Sequence, residues 1–308
     1  MSHGGYDLSG LRTRLERIVG EENVLADEPM SEHTTLEVGG PADLFVTPVT
    51  AGQAVDVMGE CRAAGVPAFV VGNGSNLLVS DDGYRGVVVC TAGSLDNATV
   101  DGRTMRCEAG VSLADASEMA CELGLSGLEF ACGIPGSVGG AAYMNAGAYG
   151  GQMADVIESV HVLSPDGAEL DIPVDELGAG YRTTRVRTDG LVVLWVTFRL
   201  DHGDADDIRA MMDDLTAQRE AKQPLEMPSA GSTFKRPEGH FAGKLISDAG
   251  LRGCRIGGAQ VSEKHCGFVV NADGATAADV RALIAHVQDE VERQFGVRLE
   301  PEVQILGE

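Results

Sequence analysis

Lysine is scarce in this sequence. Four of its 308 residues are lysine, 47 residues are acidic, and the formal net charge is −24. A chain this acidic repels the phosphates of nucleic acids and of anionic lipids, which excludes binding to either as its main role. The composition indicates either adaptation to high salt or a simple need for solubility. A free energy of unfolding that is equal in low and molar salt would contradict the adaptation.

Other signals are missing as well. No run of about 18 apolar residues predicts a membrane span, and residues 1–10 show no basic segment followed by an apolar one, so no secretory signal is expected. The seven cysteines are odd in number and include no C-x-x-C pair, which argues against a disulfide framework and against a structural zinc site. We therefore expect free thiols, no bound metal and a cytoplasmic location.

The apolar pattern predicts an α+β fold. Helical spacing is found at 8–19, 53–64, 112–123, 206–222 and 276–295. Strand-like runs cover 68–71, 77–80, 87–90, 105–109, 157–163 and 191–200. Residues 133–151 show no periodicity and are expected to be irregular. A polar break at 201–204 predicts a boundary near residue 202, with domains at 1–202 and 203–308.

The first of two glycine-rich segments lies between two predicted strands and comprises Gly72, Asn73, Gly74, Ser75 and Asn76. Glycines allow backbone N–H groups to approach an anion closely, so the segment is a candidate for phosphate binding. A plain hairpin turn would explain it as well. It is neither a P-loop nor a Rossmann fingerprint, because the Lys-Ser/Thr pair and the G-x-G-x-x-G helix start are both absent.

The second segment, residues 133–151, contains glycine at a much higher density. This many glycines carry a conformational-entropy cost, which a dinucleotide pyrophosphate packed against the backbone would offset. The alternative is a flexible surface loop. It fits less well, because Ile134, Val138, Tyr143 and Met144 are apolar.

These segments resemble those of the UDP-N-acetylenolpyruvoylglucosamine reductase (MurB) family. The matching motifs are Gly-Asn-Gly-Ser-Asn-Leu-Leu at 72–78, Gly-Ile-Pro-Gly-Ser-Val-Gly-Gly at 133–140 and Met-Asn-Ala-Gly-Ala-Tyr-Gly at 144–150. Others follow in the same order as in the family, at 33–35, 39–40, 181–182, 231–234, 242–246, 256–260 and 299–303. The resemblance spans roughly residues 30–306.

The resemblance implies an FAD-binding domain of the p-cresol methylhydroxylase/vanillyl-alcohol oxidase type, made of two α+β subdomains. A C-terminal α+β substrate-binding domain would follow, and its last strand would return Glu302 to the active site. FAD is expected to be non-covalent, because the first segment offers Ser75 and Asn76 where related flavoproteins can carry a histidine or cysteine. Further expected cofactor contacts are Gly72, Asn73, Gly74, Gly133, Ile134, Pro135, Gly136, Ser137, Gly139, Gly140, Asn145 and Gly147.

The implied reaction is the NADPH-dependent reduction of UDP-N-acetylglucosamine enolpyruvate to UDP-N-acetylmuramate. Arg182 would hold the substrate carboxylate and stabilise the enolate, Ser232 would donate a proton, and Glu302 would complete the arrangement. Taken alone, each has an ordinary explanation: a surface ion pair, a turn residue and a solvated strand end. The expected substrate contacts are Tyr181, Lys222, Lys244 and Gln260.

The segment after Arg182 refines the resemblance. Residues 183–190 separate Arg182 from the next predicted strand and leave no room for the extra tyrosine-bearing loop of one subtype, so the shorter subtype is expected. Two other functions stay open: a flavin oxidase of the same broad fold, and a non-catalytic UDP-sugar or flavin-binding protein. The oxidase would not explain the motifs around Ser232 and Glu302, and a binding protein would not need a proton donor.

Overall fold

The computed structural model describes residues 6–307, which form two compact units. Unit 1 consists of residues 6–26, 44–73 and 86–219, and unit 2 of residues 27–43, 74–85 and 220–307. The domain boundary near residue 202 stays a prediction, because the compact units are a different division of the chain. In the compact units, residues 203–219 belong to unit 1, because Ile208 and Met212 pack against Cys121 and Arg209 pairs with Glu118.

The described residues contain eight α-helices. They are α1 (Leu8–Val19), α2 (Ala51–Ala64), α3 (Leu113–Glu122), α4 (Val138–Met144), α5 (Arg185–Thr188), α6 (Ala205–Lys222), α7 (Ala242–Asp248) and α8 (Ala277–Phe295). The predicted serine and threonine caps are present, since Ser112 accepts the N–H of Asp115 at the start of α3 and Thr276 accepts that of Asp279 at the start of α8. Helix α8 ends at Gly296, whose φ of 68° is the left-handed conformation that glycine adopts freely.

The strands are mostly short. In chain order they are β1 (Val24–Pro29), β2 (Pro41–Val46), β3 (Ala68–Val71), β4 (Leu77–Val79), β5 (Tyr84–Cys90), β6 (Ala98–Asp101), β7 (Thr104–Glu108), β8 (Leu125–Ser126), β9 (Gly147–Ala148), β10 (Gly151–Gln152), β11 (Ile157–Leu163), β12 (Glu169–Pro173), β13 (Val192–Arg199), β14 (Asp201–His202), β15 (Ser229–Ser232), β16 (Arg255–Ile256), β17 (Ala259–Val261), β18 (Phe268–Asn271) and β19 (Gln304–Leu306).

Two of the larger sheets are antiparallel, and parallel strand pairs occur in others. Unit 1 contains an antiparallel five-stranded sheet of order β12-β11-β13-β7-β6. A second sheet has the order β1-β2-β5-β3, in which β3 and β5 are parallel. Unit 2 contains the antiparallel sheet β15-β18-β17-β16, and β19 pairs in parallel with β4. Strand β7 of the five-stranded sheet buries alternate side chains, as half-buried strands do, whereas β2 and β5 are buried along most of their length.

Each unit has its own apolar core. In unit 1, Met105, Val160, Val196 and Phe198 of the five-stranded sheet are fully buried together with Leu113 of α3. In unit 2, one face of α8 is buried among residues of α7, β17 and β18, through Val280, Leu283, Ile284, Val287 and Val291. The spacing of three and four residues along α8 is the period of an amphipathic helix, which is why the sequence predicts this element well.

One predicted segment is wrong. Residues 133–151 were expected to be irregular, but α4 occupies Val138–Met144 within them. Ser137 caps this helix by accepting the N–H of Gly140, and Asn145 ends it in a left-handed conformation. The helix is built largely of glycine and alanine, so it carries no apolar period that would have indicated it.

The described residues were searched for membrane-spanning helices, metal sites and disulfides. No helix within residues 6–307 is long and apolar enough to cross a membrane. Across the same residues, no group of three or more His, Cys, Asp or Glu side chains is placed to hold a metal ion. All seven cysteines are free thiols, and burial raises the pKa of Cys61 and of Cys107 to about 12.

His265 is expected to make the stability of unit 2 sensitive to acid. Its ring packs edge-on against Phe268 at a centroid distance of 5.0 Å, and its Nδ1 accepts the N–H of Gly267 at 3.1 Å. Burial, and then the charge of Arg252, lowers the pKa of His265 below its ordinary value of 6.5. The folded state therefore resists protonation that the unfolded state accepts.

The contribution of His265 to stability is present above pH 6.5 and is lost as the pH falls through the lowered pKa. We expect a His265→Asn variant, which keeps an acceptor near the position of Nδ1, to lose less thermal stability than the wild type between about pH 7.5 and about pH 5. Thermal melts by circular dichroism at both values would measure this. Equal losses in the two proteins would contradict the assignment.

Candidate active site

The start of the first glycine-rich segment packs against the second segment within unit 1. A Cβ atom added at Gly72 would lie 2.1 Å from the Oγ of Ser137, which is buried at the start of α4. Gly139 donates its N–H to the carbonyl oxygen of Ala109, and a Cβ at Gly139 would lie 2.8 Å from the Cβ of Ala109. A methyl group at Gly72 would overlap the Ser137 side chain, and one at Gly139 would press against the side chain and the carbonyl oxygen of Ala109.

A cavity of about 320 Å³ lies beside these segments in unit 1. Its wall is held to the second segment, because the Val138 N–H donates to the carbonyl oxygen of Val111 at 2.8 Å and Ser112 pairs with Ser137. Its volume is at the lower end of small-molecule pockets, so it fits part of a dinucleotide. The lining residues are Asn73, Gly93, Asp96, Ala98, Gly110, Val111, Ser112, Asp115 and Met119. Apolar contacts for a ring and carboxylates for hydroxyl groups are therefore both present.

Arg182 lies in a tight turn of unit 1. Gly180 and Thr183 pair across this turn, and Arg182 adopts a left-handed backbone with φ of 55°. The Nη1 of Arg182 donates to the carbonyl oxygen of Gly147 at 3.3 Å, so one predicted cofactor contact and one predicted catalytic residue are neighbours. Tyr181 is 57% exposed, and its ring lies 5.4 Å from the Arg182 guanidinium.

In unit 2 the structure brings together residues from three distant parts of the chain. The N–H of Glu302 donates to the carbonyl oxygen of Thr233 at 2.8 Å, which places Glu302 beside the chain at Ser232. The side chain of Asn76 donates to the carbonyl oxygen of Glu302 at 3.2 Å. The N–H of Gln304 donates back to Asn76 at 3.0 Å. The side chain of Ser232 is exposed at the end of β15, so its hydroxyl is accessible.

The predicted substrate contacts differ in their surroundings. Lys222 is the exposed last residue of α6, and Gln260 is half-buried on β17. Lys244 is largely exposed and forms an ion pair with Asp248 on its own helix at 2.8 Å. All of the lysines lie in unit 2, and the remaining two contact protein oxygens: Lys235 pairs with Glu300, and Lys264 donates to the carbonyl oxygen of Glu220.

Arg219 was not expected near the glycine-rich segments. This residue of α6 is half-buried, and its Cδ would lie 2.8 Å from a Cβ added at Gly133. Burial lowers the pKa of Arg219, while Tyr149 and Cys132 raise it. Nothing in the polar pattern of α6 distinguishes Arg219 from Arg209, which pairs with Glu118 on the same unit. Asp96 and Asp115 were also missed, because isolated acidic residues are usually solvated.

Comparison with known proteins identifies the family. Residues 42–172 match the family model described as "FAD binding domain", and residues 223–306 match the model for the C-terminal domain of UDP-N-acetylenolpyruvoylglucosamine reductase. A UDP-N-acetylenolpyruvoylglucosamine reductase of Clostridium perfringens (strain SM101) is 52% identical over 293 residues, covering 95% of this chain and 96% of the relative. The chain belongs to the UDP-N-acetylenolpyruvoylglucosamine reductase family.

Other members of this reductase family match nearly the whole chain. A relative from Clostridium botulinum (strain Hall) is 51% identical over 295 residues, which is 96% of both chains. The crystal structure of the reductase from Thermus caldophilus superposes with a TM-score of 0.79 at 37% identity, covering 92% of this chain and 98% of that one. The predicted family and the predicted FAD-binding and C-terminal α+β fold are confirmed.

Gly74 tests the first glycine-rich segment of this reductase. Its φ is 60°, and an added Cβ would lie 2.0 Å from the carbonyl oxygen of His33. Gly65, at the end of α2, has a φ of 65° but nothing within 4 Å of the same position. We expect the Gly74→Ala protein to be isolated without flavin. Its unfolding temperature should lie well below that of the wild type, because the backbone must move to relieve the overlap.

The matched Gly65→Ala variant meets the same left-handed strain without the overlap. It should retain full flavin content and lose only about 1 kcal/mol of stability. Flavin absorbance per protein and thermal melting would compare the two variants. A flavin-replete Gly74→Ala protein would show that this segment does not need the close backbone approach.

Proposed function

We propose that this protein reduces the enolpyruvyl ether of UDP-N-acetylglucosamine to UDP-N-acetylmuramate in peptidoglycan precursor synthesis, with bound FAD and with NADPH as the reductant. The observation that carries the proposal is family membership over both the FAD-binding region and the C-terminal domain. The protein is accordingly an FAD-dependent oxidoreductase that acts on small-molecule substrates. We also propose a cytoplasmic location, since the seven cysteines are free thiols.

The glycine-rich segments and the cavity support a site for FAD. We assign the pyrophosphate to the backbone of Gly72, Asn73 and residues 133–140 in unit 1, where close packing already favours glycine at Gly72 and Gly139. The adenosine would occupy the cavity, with its ring against Val111 and Met119. Its hydroxyl groups would donate to the nearby carboxylates, as ribose hydroxyls commonly do. When bound, FAD supplies the hydride for the reaction and is itself reduced by NADPH.

Arg182 would bind the carboxylate of the enolpyruvyl group. Hydride addition at the terminal carbon leaves negative charge on the α-carbon and on the carboxylate. A guanidinium group pairs with a carboxylate through two hydrogen bonds and stabilises that charge as it forms. The left-handed turn fixes the backbone of Arg182 before substrate binds, which lowers the cost of ordering it.

Ser232 would donate its hydroxyl proton to the α-carbon. A serine hydroxyl is a weak acid, so this transfer needs the basic carbanion that hydride addition creates, together with a polar neighbour. Glu302 is a candidate for that neighbour, because its backbone pairs with the residue that follows Ser232. We assign to Tyr181, Lys222, Lys244 and Gln260 the contacts with the UDP-sugar, with the ammonium groups acting on the diphosphate.

The assay that tests the function supplies the purified protein with NADPH and the enolpyruvyl ether. Consumption of NADPH should require the ether, and mass spectrometry should identify a product that is the ether plus two hydrogen atoms. Consumption that requires oxygen and proceeds without the ether would indicate an oxidase instead. Binding of the UDP-sugar without any turnover would indicate a non-catalytic binding protein.

A further inference from the structure

Two neighbouring residues of unit 1 share an unusual backbone. Asn145, the residue at which α4 ends, has a φ of 47°, and Arg182 has a φ of 55°. Non-glycine residues seldom adopt left-handed conformations, and they keep them where surrounding contacts hold them in place. The contacts that hold the turn of Arg182 are therefore part of what orients its guanidinium.

The side-chain amide of Asn145 is fully engaged by the protein. Asn145 is 4% exposed, and its Nδ2 donates to the carbonyl oxygen of Gly180 at 3.1 Å and to the Oε1 of Gln152 at 3.0 Å. Its Oδ1 accepts the N–H of Ala154 at 2.9 Å. Both amide hydrogens are thus used within unit 1. This favours a role other than the cofactor contact that was expected for Asn145.

The same stretch of chain holds the Arg182 turn at further points. The Oγ1 of Thr184 donates to the carbonyl oxygen of Tyr143 at 2.9 Å, near the end of α4. Arg187 donates to the carbonyl oxygen of Arg182 at 3.0 Å, and Arg182 in turn donates to Gly147 at 3.3 Å. The end of α4 and the residues just beyond it are therefore fastened to both sides of the turn. Within this set, Asn145 supplies the buried side chain that reaches the carbonyl of Gly180.

We propose that Asn145 is a positioning residue for the substrate carboxylate. By holding the carbonyl oxygen of Gly180, it maintains the left-handed backbone at Arg182 and so directs the guanidinium. The inference rests on the proposed function, which assigns Arg182 to that carboxylate. It gives the second glycine-rich segment a task in substrate binding that is separate from its contacts with FAD.

The test compares two ligands that differ by the group in question. UDP-N-acetylmuramate carries a carboxylate on its lactyl group, whereas UDP-N-acetylglucosamine has no such group. In Asn145→Gly the side chain is gone, but the left-handed backbone costs glycine nothing. Calorimetry on the oxidised, FAD-loaded protein should show about a 10-fold weaker affinity for UDP-N-acetylmuramate, the size expected for one lost buried hydrogen-bond partner. Affinity for UDP-N-acetylglucosamine should be unchanged.

Further variants isolate the bond between Asn145 and Gly180. Gln152→Ala removes the other acceptor of the Asn145 amide and should leave both affinities unchanged. In an Arg182→Gln background, Asn145→Gly should cause no additional loss, because the group it positions is absent. If Asn145→Gly does not fold, Asn145→Asp serves the same comparison, since it keeps the side-chain volume and the acceptor for Ala154.

The outcomes separate this inference from the proposed function. A loss that is equal for the two ligands, or that persists in the Arg182→Gln background, would overturn the positioning role. If Arg182→Gln weakens UDP-N-acetylmuramate binding while Asn145→Gly and Asn145→Asp do not, the positioning role is refuted and the role of Arg182 stands. An Arg182→Gln protein with wild-type affinity would refute both.

Discussion

Replacing Ser232 by alanine is expected to slow reduction of the enolpyruvyl ether by about 100- to 10,000-fold, the range that a positioned general acid contributes. The change removes the hydroxyl group, and it leaves the backbone hydrogen bonds of the strand in place. β15 pairs with β18 through its backbone, and Thr233 donates its N–H to Gly267 and accepts from Glu302. The variant should therefore fold, bind FAD and accept electrons from NADPH at the wild-type rate. Rapid-mixing absorbance would separate the two half-reactions.

Ser229→Ala is the matched control for this prediction. It makes the same substitution on the same strand, at a residue whose carbonyl accepts the hydroxyl of Thr35 and whose own side chain has no role in the proposed chemistry. Its turnover should equal that of the wild type. If Ser232→Ala slowed reduction by NADPH as much as reduction of the ether, Ser232 would be a structural residue and not the acid.

Arg182→Gln is expected to lower turnover by about 100- to 1,000-fold, as loss of one charge-stabilising group does in other enzymes. The developing enolate would lose its counter-charge, and glutamine offers one neutral amide group in its place. Arg182→Lys should recover only part of the activity, because an ammonium group does not reproduce the planar bidentate pairing with a carboxylate. Steady-state kinetics with the ether as the varied substrate would measure both variants.

The control for Arg182 is Arg185→Gln, three residues further along the chain. Arg185 forms an exposed ion pair with Asp189 at 2.8 Å, a type of contact worth under about 1 kcal/mol. Its loss should leave turnover unchanged and stability little altered. Equal effects of the two substitutions would mean that net charge in this region, and not the position of Arg182, determines activity.

Much of the fold could be predicted because apolar residues recur along the sequence at helical or strand spacing. The buried face of α8 follows from the spacing of its apolar residues, and the caps at Ser112 and Thr276 follow from residue type. The structure has both as predicted. Helix α4 was not predictable in this way, because four of its seven residues are glycine or alanine and the others show no helical spacing. Its ends carried the available signal: a serine before the helix, and an asparagine suited to the left-handed conformation after it.

The candidate site could be predicted only in part, because its contacts join residues that are far apart in the sequence. Motif order indicated which residues matter, but hydrogen bonds across long sequence separations decide what each of them does. Asn76 and Asn145 were both expected to contact the cofactor. That expectation stays a prediction; in the structure the side chain of Asn76 reaches the backbone of Glu302, 226 residues away, and that of Asn145 reaches Gly180, 35 residues away. Arg219 gave no sign of its burial, since position on a polar helix does not show which face approaches Gly133.

The central claim is that this protein carries electrons from NADPH to an enolpyruvyl ether through bound FAD. An anaerobic stopped-flow experiment on the purified protein tests it most directly, by following the yellow absorbance of the flavin. NADPH should bleach the absorbance, and it should recover when UDP-N-acetylglucosamine enolpyruvate is added and not when UDP-N-acetylglucosamine is added. Bleaching without recovery would contradict the assigned substrate, and a protein that binds no flavin even after reconstitution would contradict the account as a whole.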